Sequence, residues 1–219
     1  MFFQFELSNR KRVIYLGLSI VCGLLDYLIC DFVAWVNHLP LFCDTIFIMA
    51  LSFFAGPWWG VLAGFFYHLI DFLLNRTVEP GHLFIICHFL AALTAGYFKI
   101  WFITEQDSSL LRFIKLVILS MIMCLVMSIS GGIISYVLGF VEAYNAASSQ
   151  TDFLTFLWQN KFSSKLLLQI MVRIPVNIAD RFICVFAAWG IYLLGEKFVL
   201  YLEKRCGKDT ESLDEAKDL

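Results

Sequence analysis

Charge is scarce in this chain: Asp, Glu, Lys and Arg together make up 16% of its 219 residues, where a water-soluble domain carries about 25%. The formal net charge is −2, so there is no basic excess to neutralise phosphates, and nucleic acid is excluded as an expected partner. The seven cysteines, at 22, 30, 43, 87, 124, 184 and 206, include no Cys-x-x-Cys pair. Odd in number and scattered, they fit neither a disulfide framework nor a zinc cluster and read as small apolar fillers. A Gly-x-x-x-x-Gly-Lys-[Ser/Thr] phosphate loop is absent, which assigns any ATP hydrolysis to another chain. Internal repeats and low-complexity tracts are lacking as well.

What the chain has in excess is apolar surface. It is 60% hydrophobic and 17% aromatic, with 23 Phe and a mean hydropathy of +0.79. One water-soluble core of this size cannot hide so much, so lipid must be part of the solvent. Arg10-Lys11-Arg12 leads into a 24-residue apolar run, Val13–Val36, which reads as an uncleaved first membrane helix. Further runs are Thr45–Ile70, broken by Gly56-Pro57, then His82–Ile103, Leu116–Val141 and Ile174–Leu194. Taking Gly56-Pro57 as a tight turn splits the second run into Pro40–Ala55 and Pro57–Leu74 and gives six spans with both termini in the cytoplasm. Lysine and arginine placement supports this. Residues 10, 11, 12, 99, 112, 115, 197, 204, 205, 208 and 217 then lie inside, and only Arg76, Lys161 and Lys165 lie outside. The expected fold is therefore an all-α integral membrane protein, a six-helix bundle over residues 1–204 with a charged cytoplasmic tail at 205–219. Pro175 either kinks a long helix from Lys165 or stands at the N1 position of the last span; the second is preferred, which makes Ala143–Val172 an outer loop, lying at the interface or acting as a lid.

This topology puts the costly polar groups in one leaflet. Asp31, Asp44, His68, Asp71, His82, His88, Asn177 and Asp180 all fall toward the outer ends of their spans, as does His38 in the first outer loop. Gly60, Gly64, His68 and Asp71 share one helical stripe, and Ser128, Gly132, Ser135 and Gly139 form another suited to close packing. No two histidines stand at the i, i+4 spacing of a metal pair, so no metal or other cofactor is expected.

Two segments carry a resemblance. Leu39-Pro40-Leu41-Phe42-Cys43-Asp44-Thr45, continuing into Ala55-Gly56-Pro57-Trp58-Trp59-Gly60-Val61-Leu62-Ala63-Gly64, resembles the substrate-binding (S) components of energy-coupling-factor (ECF) transporters. Arg173-Ile174-Pro175-Val176-Asn177-Ile178-Ala179-Asp180-Arg181 resembles the start of their final helix. Together they cover about a sixth of the chain. The resemblance implies a bacterial or archaeal plasma-membrane protein that captures a vitamin or similar micronutrient from outside. Its implied partners are membrane lipid, a coupling transmembrane subunit and two cytoplasmic ATPases. Docking through an AxxxA-like surface on the first helix would fall here on Ser19 and Gly23. The Met-His start of the metal-transporting members is absent, since Phe2 follows Met1.

On this reading the chain is not an enzyme. The eight polar residues named above would bind a small solute, with Trp35 and Tyr144 stacking on it or covering it. A membrane sensor module signalling to a partner protein is the second reading. A lipid-modifying enzyme using His68, Asp71 or His88 as acid or base is a third, without a visible nucleophile motif.

Overall fold

The computed structural model describes residues 9–33, 41–75, 80–139 and 149–215, with backbone alone for 80, 149–150, 152–153 and 200–215. All its elements are helical: α1 (Asn9–Asp31), α2 (Ile46–Ala55), α3 (Pro57–Asn75), a 3-10 turn (Pro80–Phe84), α4 (Ile85–Phe102), α5 (Ser109–Leu138), α6 (Ser149–Trp158), α7 (Lys165–Met171) and α8 (Arg173–Glu215). There is no strand among the described residues. Five stretches are long and apolar enough to cross a bilayer: Asn9–Asp31, Pro57–Asn75, Gly81–Phe102, Ser109–Leu138 and Lys165–Val199. This is an all-helical, multi-pass membrane protein. Its outer surface agrees, since Val13, Val21 and Leu28 of α1 and Ile118, Leu125, Ile133 and Val137 of α5 are exposed, as groups solvated by lipid acyl chains would be.

The break at Gly56-Pro57 is where the sequence places it. Gly56 adopts φ 102°, a left-handed backbone that L side chains resist. Pro57 follows at the first position of α3, where its missing N–H costs nothing. The preceding helix is shorter than the expected Pro40–Ala55: α2 has ten residues, eight of them buried, with Phe47 half-buried and Phe54 exposed. It sits inside the bundle, packed against α1, α3, α4 and α8. Met49, Phe53, Leu119, Met123, Val185 and Ala188 fill the main core around it.

Contacts fix the relative directions. Tyr15 meets Trp59 and Tyr27 meets Tyr67, so α1 and α3 run parallel. Gly64 faces His88 while Gly96 faces Pro57, so α3 and α4 are antiparallel. Asn177 meets Ser128 and Arg173 meets Ser135, which makes α5 and α8 antiparallel. The end of the bundle that holds the Gly56 turn therefore also holds Tyr15, Lys99 and Gly195.

Two expectations need correction. Ala143–Val172 is not a loop where it is described: Ser149–Trp158 and Lys165–Met171 are helices, and only Val172 separates α7 from α8. The cause is the small-residue stripe on α5. A Cβ on Gly132 would lie 2.6–3.0 Å from Ile170, so the missing side chain lets α7 pack directly on α5. Second, α8 does not stop near Leu194 but continues as helix to Glu215, through the first part of the charged tail. Pro175 is the third residue of α8, two places beyond the N1 position expected for it. Of the seven cysteines, six have described side chains, and all six are free thiols; Cys206 lies outside them.

Candidate functional site

Polar chemistry collects at the end opposite the Gly56 turn, and one residue organises it. Arg181 of α8 is 1% exposed. It donates to the Asp44 carboxylate at 3.0 Å and to the Thr45 hydroxyl at 2.7 Å, and it pairs with its neighbour Asp180. Two carboxylates thus compensate one buried guanidinium, which is the condition for keeping such a charge out of water.

Asp180 serves the backbone. Its Oδ1 accepts from the N–H groups of Phe42 and Cys43 at 2.9 and 2.8 Å, holding the non-helical approach to α2 in which Cys43 has φ 49°. Asp26 of α1 does the same one turn further on, accepting from Phe47 and Ile48 at 3.0 and 2.7 Å. Thr45 cannot cap α2 with its own side chain, because that hydroxyl is taken by Arg181. At the far end of α2, the Lys99 ammonium donates to the Phe53 carbonyl at 2.6 Å. An anion at the N-terminus and a cation at the C-terminus both oppose the helix dipole. Other helices therefore cap this short buried helix at both ends.

Above this network lies a cavity of about 280 Å³. Its walls come from α1 (Cys30), the approach to α2 (Phe42, Asp44), α3 (Tyr67, His68, Asp71), the 3-10 turn (Gly81, His82, Phe84), α4 (Cys87, His88), α5 (Met127, Gly131) and α8 (Arg173, Asn177, Arg181). Three histidines far apart in sequence meet here. His68 Nε2 lies 2.9 Å from His88 Nδ1, and His88 Nε2 lies 3.2 Å from the Asp44 carbonyl and 3.5 Å from its carboxylate. Tyr67 stacks on the His88 ring at 4.4 Å. His82 approaches Asp71 at 3.5 Å, and Asp71 accepts from Asn75 at 2.6 Å. Asn177 donates to Ser128 at 2.9 Å and Arg173 to Ser135 at 2.5 Å, so both hydroxyls of the α5 stripe are in use.

Of the solute-binding residues expected from sequence, Asp44, His68, Asp71, His82, His88 and Asn177 line this cavity. Asp31 does not: it ends α1 and is exposed. Asp180 is fully buried behind the wall, where its role is to hold backbone. Trp35, Tyr144 and His38 lie outside the described residues. The Ser19–Gly23 surface, expected to dock a partner, is occupied within the chain. Ser19 is buried and lies 3.2 Å from the Trp59 carbonyl, and a Cβ on Gly23 would come within 2.7 Å of the Ala63 carbonyl. Its small residues serve the contact between α1 and α3. Among the described residues, none of α6 lines the cavity, so the lid reading gains nothing from them.

The cavity is also lined by Tyr67, Arg173 and Arg181, polar residues that were not among the expected solute-binding ones. The arginines had a signal, since Arg173, Asn177 and Arg181 repeat every fourth residue along one face. Tyr67 had none beyond its place beside His68. Compared with family models, curated proteins and solved structures, the chain matches none. Function has to be argued from the cavity.

Proposed function

We propose that the chain captures a small vitamin-like solute from outside the cell, as the S component of an ECF-type importer in the plasma membrane. The observation that carries this is the cavity: five helices, the segment ahead of α2 and the 3-10 turn converge at one end of an apolar bundle on a space of mixed polar and apolar lining, sized for a small molecule. Asp44 and Asp71 balance Arg173 and Arg181 along its walls, and Phe42, Tyr67 and Phe84 add aromatic faces. Such a lining favours a neutral or zwitterionic hydrogen-bonding solute over a polyanion.

In this reading the chain crosses the membrane six times. The ten-residue α2 supplies about 15 Å, and the five-residue segment 41–45 ahead of it adds at most about 16 Å, so that the two can together approach the ~30 Å of a hydrocarbon core. Non-helical backbone at that depth is tolerated only where its polar groups find partners within the protein, and Asp180 and Asp26 are such partners. With six crossings both termini are cytoplasmic, in keeping with the eleven inner lysines and arginines, and the cavity opens outward. A coupling transmembrane subunit and two cytoplasmic ATPases would supply the energy.

The test is calorimetry of the purified chain, in metal-free buffer, against a panel of water-soluble vitamins. One member should bind with micromolar or tighter affinity, and Asn177→Ala or Tyr67→Ala should weaken that binding at least about tenfold, the loss of one well-made polar or stacking contact. Absence of heat from the whole panel would count against the proposal.

A further inference from the structure

At the rim of the cavity, the interactions described so far leave one ring nitrogen of His68 unused. His68 is 9% exposed, and its Nδ1 is buried with no hydrogen-bond partner, an arrangement a buried imidazole normally avoids. Its tautomer follows from its neighbours. His88 Nε2 faces two acceptors, the carbonyl and carboxylate of Asp44, and so carries the proton. With one proton on the neutral ring, His88 Nδ1 is then an acceptor although the Phe84 carbonyl also lies 3.3 Å from it, and His68 Nε2 donates to it across 2.9 Å. That leaves a lone pair, not a proton, on His68 Nδ1.

Two more ligand groups stand beside the His68 ring. His68, Asp71 and His82 each offer one ligand atom, all within 4.8 Å of one another. His82 Nδ1 and Asp71 Oδ2 are 3.5 Å apart, close to the ~3.4 Å edge of a tetrahedron with bonds of about 2.1 Å. The other Asp71 oxygen is fixed by Asn75 at 2.6 Å. The chain from Asp44 through His88 to His68 and the bond from Asn75 to Asp71 are the outer-shell contacts that orient metal ligands and set their protonation. We infer that His68, Asp71 and His82 form a three-ligand site for a divalent transition-metal ion at the mouth of the cavity.

Two imidazoles and one carboxylate suit zinc, cobalt or nickel rather than calcium or magnesium, which take oxygen ligands. Three protein ligands leave a coordination position open toward the cavity, unlike the closed four-ligand sites that serve structure alone. A second grouping, Cys43, Asp180 and Cys184, is a poorer site because the Asp180 carboxylate already serves two backbone N–H groups and Arg181. The inference does not depend on the transport reading.

The test is titration of the tag-free full chain, stripped with chelator, with Co2+ alone and then with Zn2+ in competition. One equivalent of Co2+ should bind and give visible d–d bands without thiolate charge-transfer absorption, and Zn2+ should displace it. His82→Ala and Asp71→Asn lie at half-exposed positions the fold tolerates, and each should weaken binding at least about tenfold. No bound equivalent with metal in large excess, thiolate charge transfer, or affinity unchanged in both variants would overturn the site. Because the vitamin calorimetry is done without metal, the two proposals fail separately.

Discussion

Arg181 shows what a single buried charge does in this protein. Its guanidinium joins Asp44 on the cavity wall to Asp180 behind it, and through them fixes the backbone ahead of α2. Arg181→Met should destabilise the fold by about 3–5 kcal/mol, because two carboxylates would remain buried without a cation. Denaturant unfolding in detergent measures this, and an unchanged midpoint would contradict the network. Much of the cavity was visible in the sequence at this scale, since an ionisable group within a membrane span is rare enough to be read singly. Asp44, His68 and His88 emerged that way. Tyr67, Phe42 and Met127 did not, because an aromatic or apolar residue in such a helix looks the same whether it faces lipid or a cavity. Asp180 was read as a ligand group for the opposite reason: sequence shows that a carboxylate is inside but not that backbone N–H groups consume it. The meeting of His68 with His82 was hidden because they come from different elements, so spacing along the chain carries no trace of it.

Among the elements, α2 depends most on its neighbours. Asp26→Ala should cost about 2–4 kcal/mol by leaving two buried N–H donors unpaired, and Asp26→Asn less, since one acceptor oxygen survives. Lys99→Met should destabilise in the same assay through the Phe53 carbonyl. The connection between α4 and α5 gives a pH-dependent prediction. The Lys115 ammonium at 2.7 Å, then the Thr104 N–H at 2.9 Å, hold Asp107 down to a pKa of about 2. A depressed carboxyl stabilises the fold fully above its ordinary value and loses that contribution as pH falls, so this turn should loosen between about pH 4 and pH 2. Carboxyl NMR titration reads the midpoint directly, and Lys115→Met should raise it toward the ordinary range. Sequence disclosed the break at Gly56-Pro57 because those two residues have few other uses together. It concealed α7, whose seven residues begin at Lys165 and include Gln169, and whose docking depends on a glycine of another helix.

For the whole molecule, the buried polar network and the cavity gather at one end. Tyr15, the Gly56 turn and Gly195 share one end, and the Arg181 network and the cavity share the other. The helical, membrane-embedded character followed from composition alone, as apolar excess requires. The side of the membrane the cavity faces is the claim on which the proposed function depends. Labelling of intact cells by a membrane-impermeant maleimide tests it most directly, using cysteine placed at the cavity mouth by His82→Cys and in the α4–α5 connection by Glu105→Cys, each in a background without reactive native thiols. The account predicts that position 82 reacts in intact cells and position 105 only after permeabilisation. The reverse pattern would contradict it.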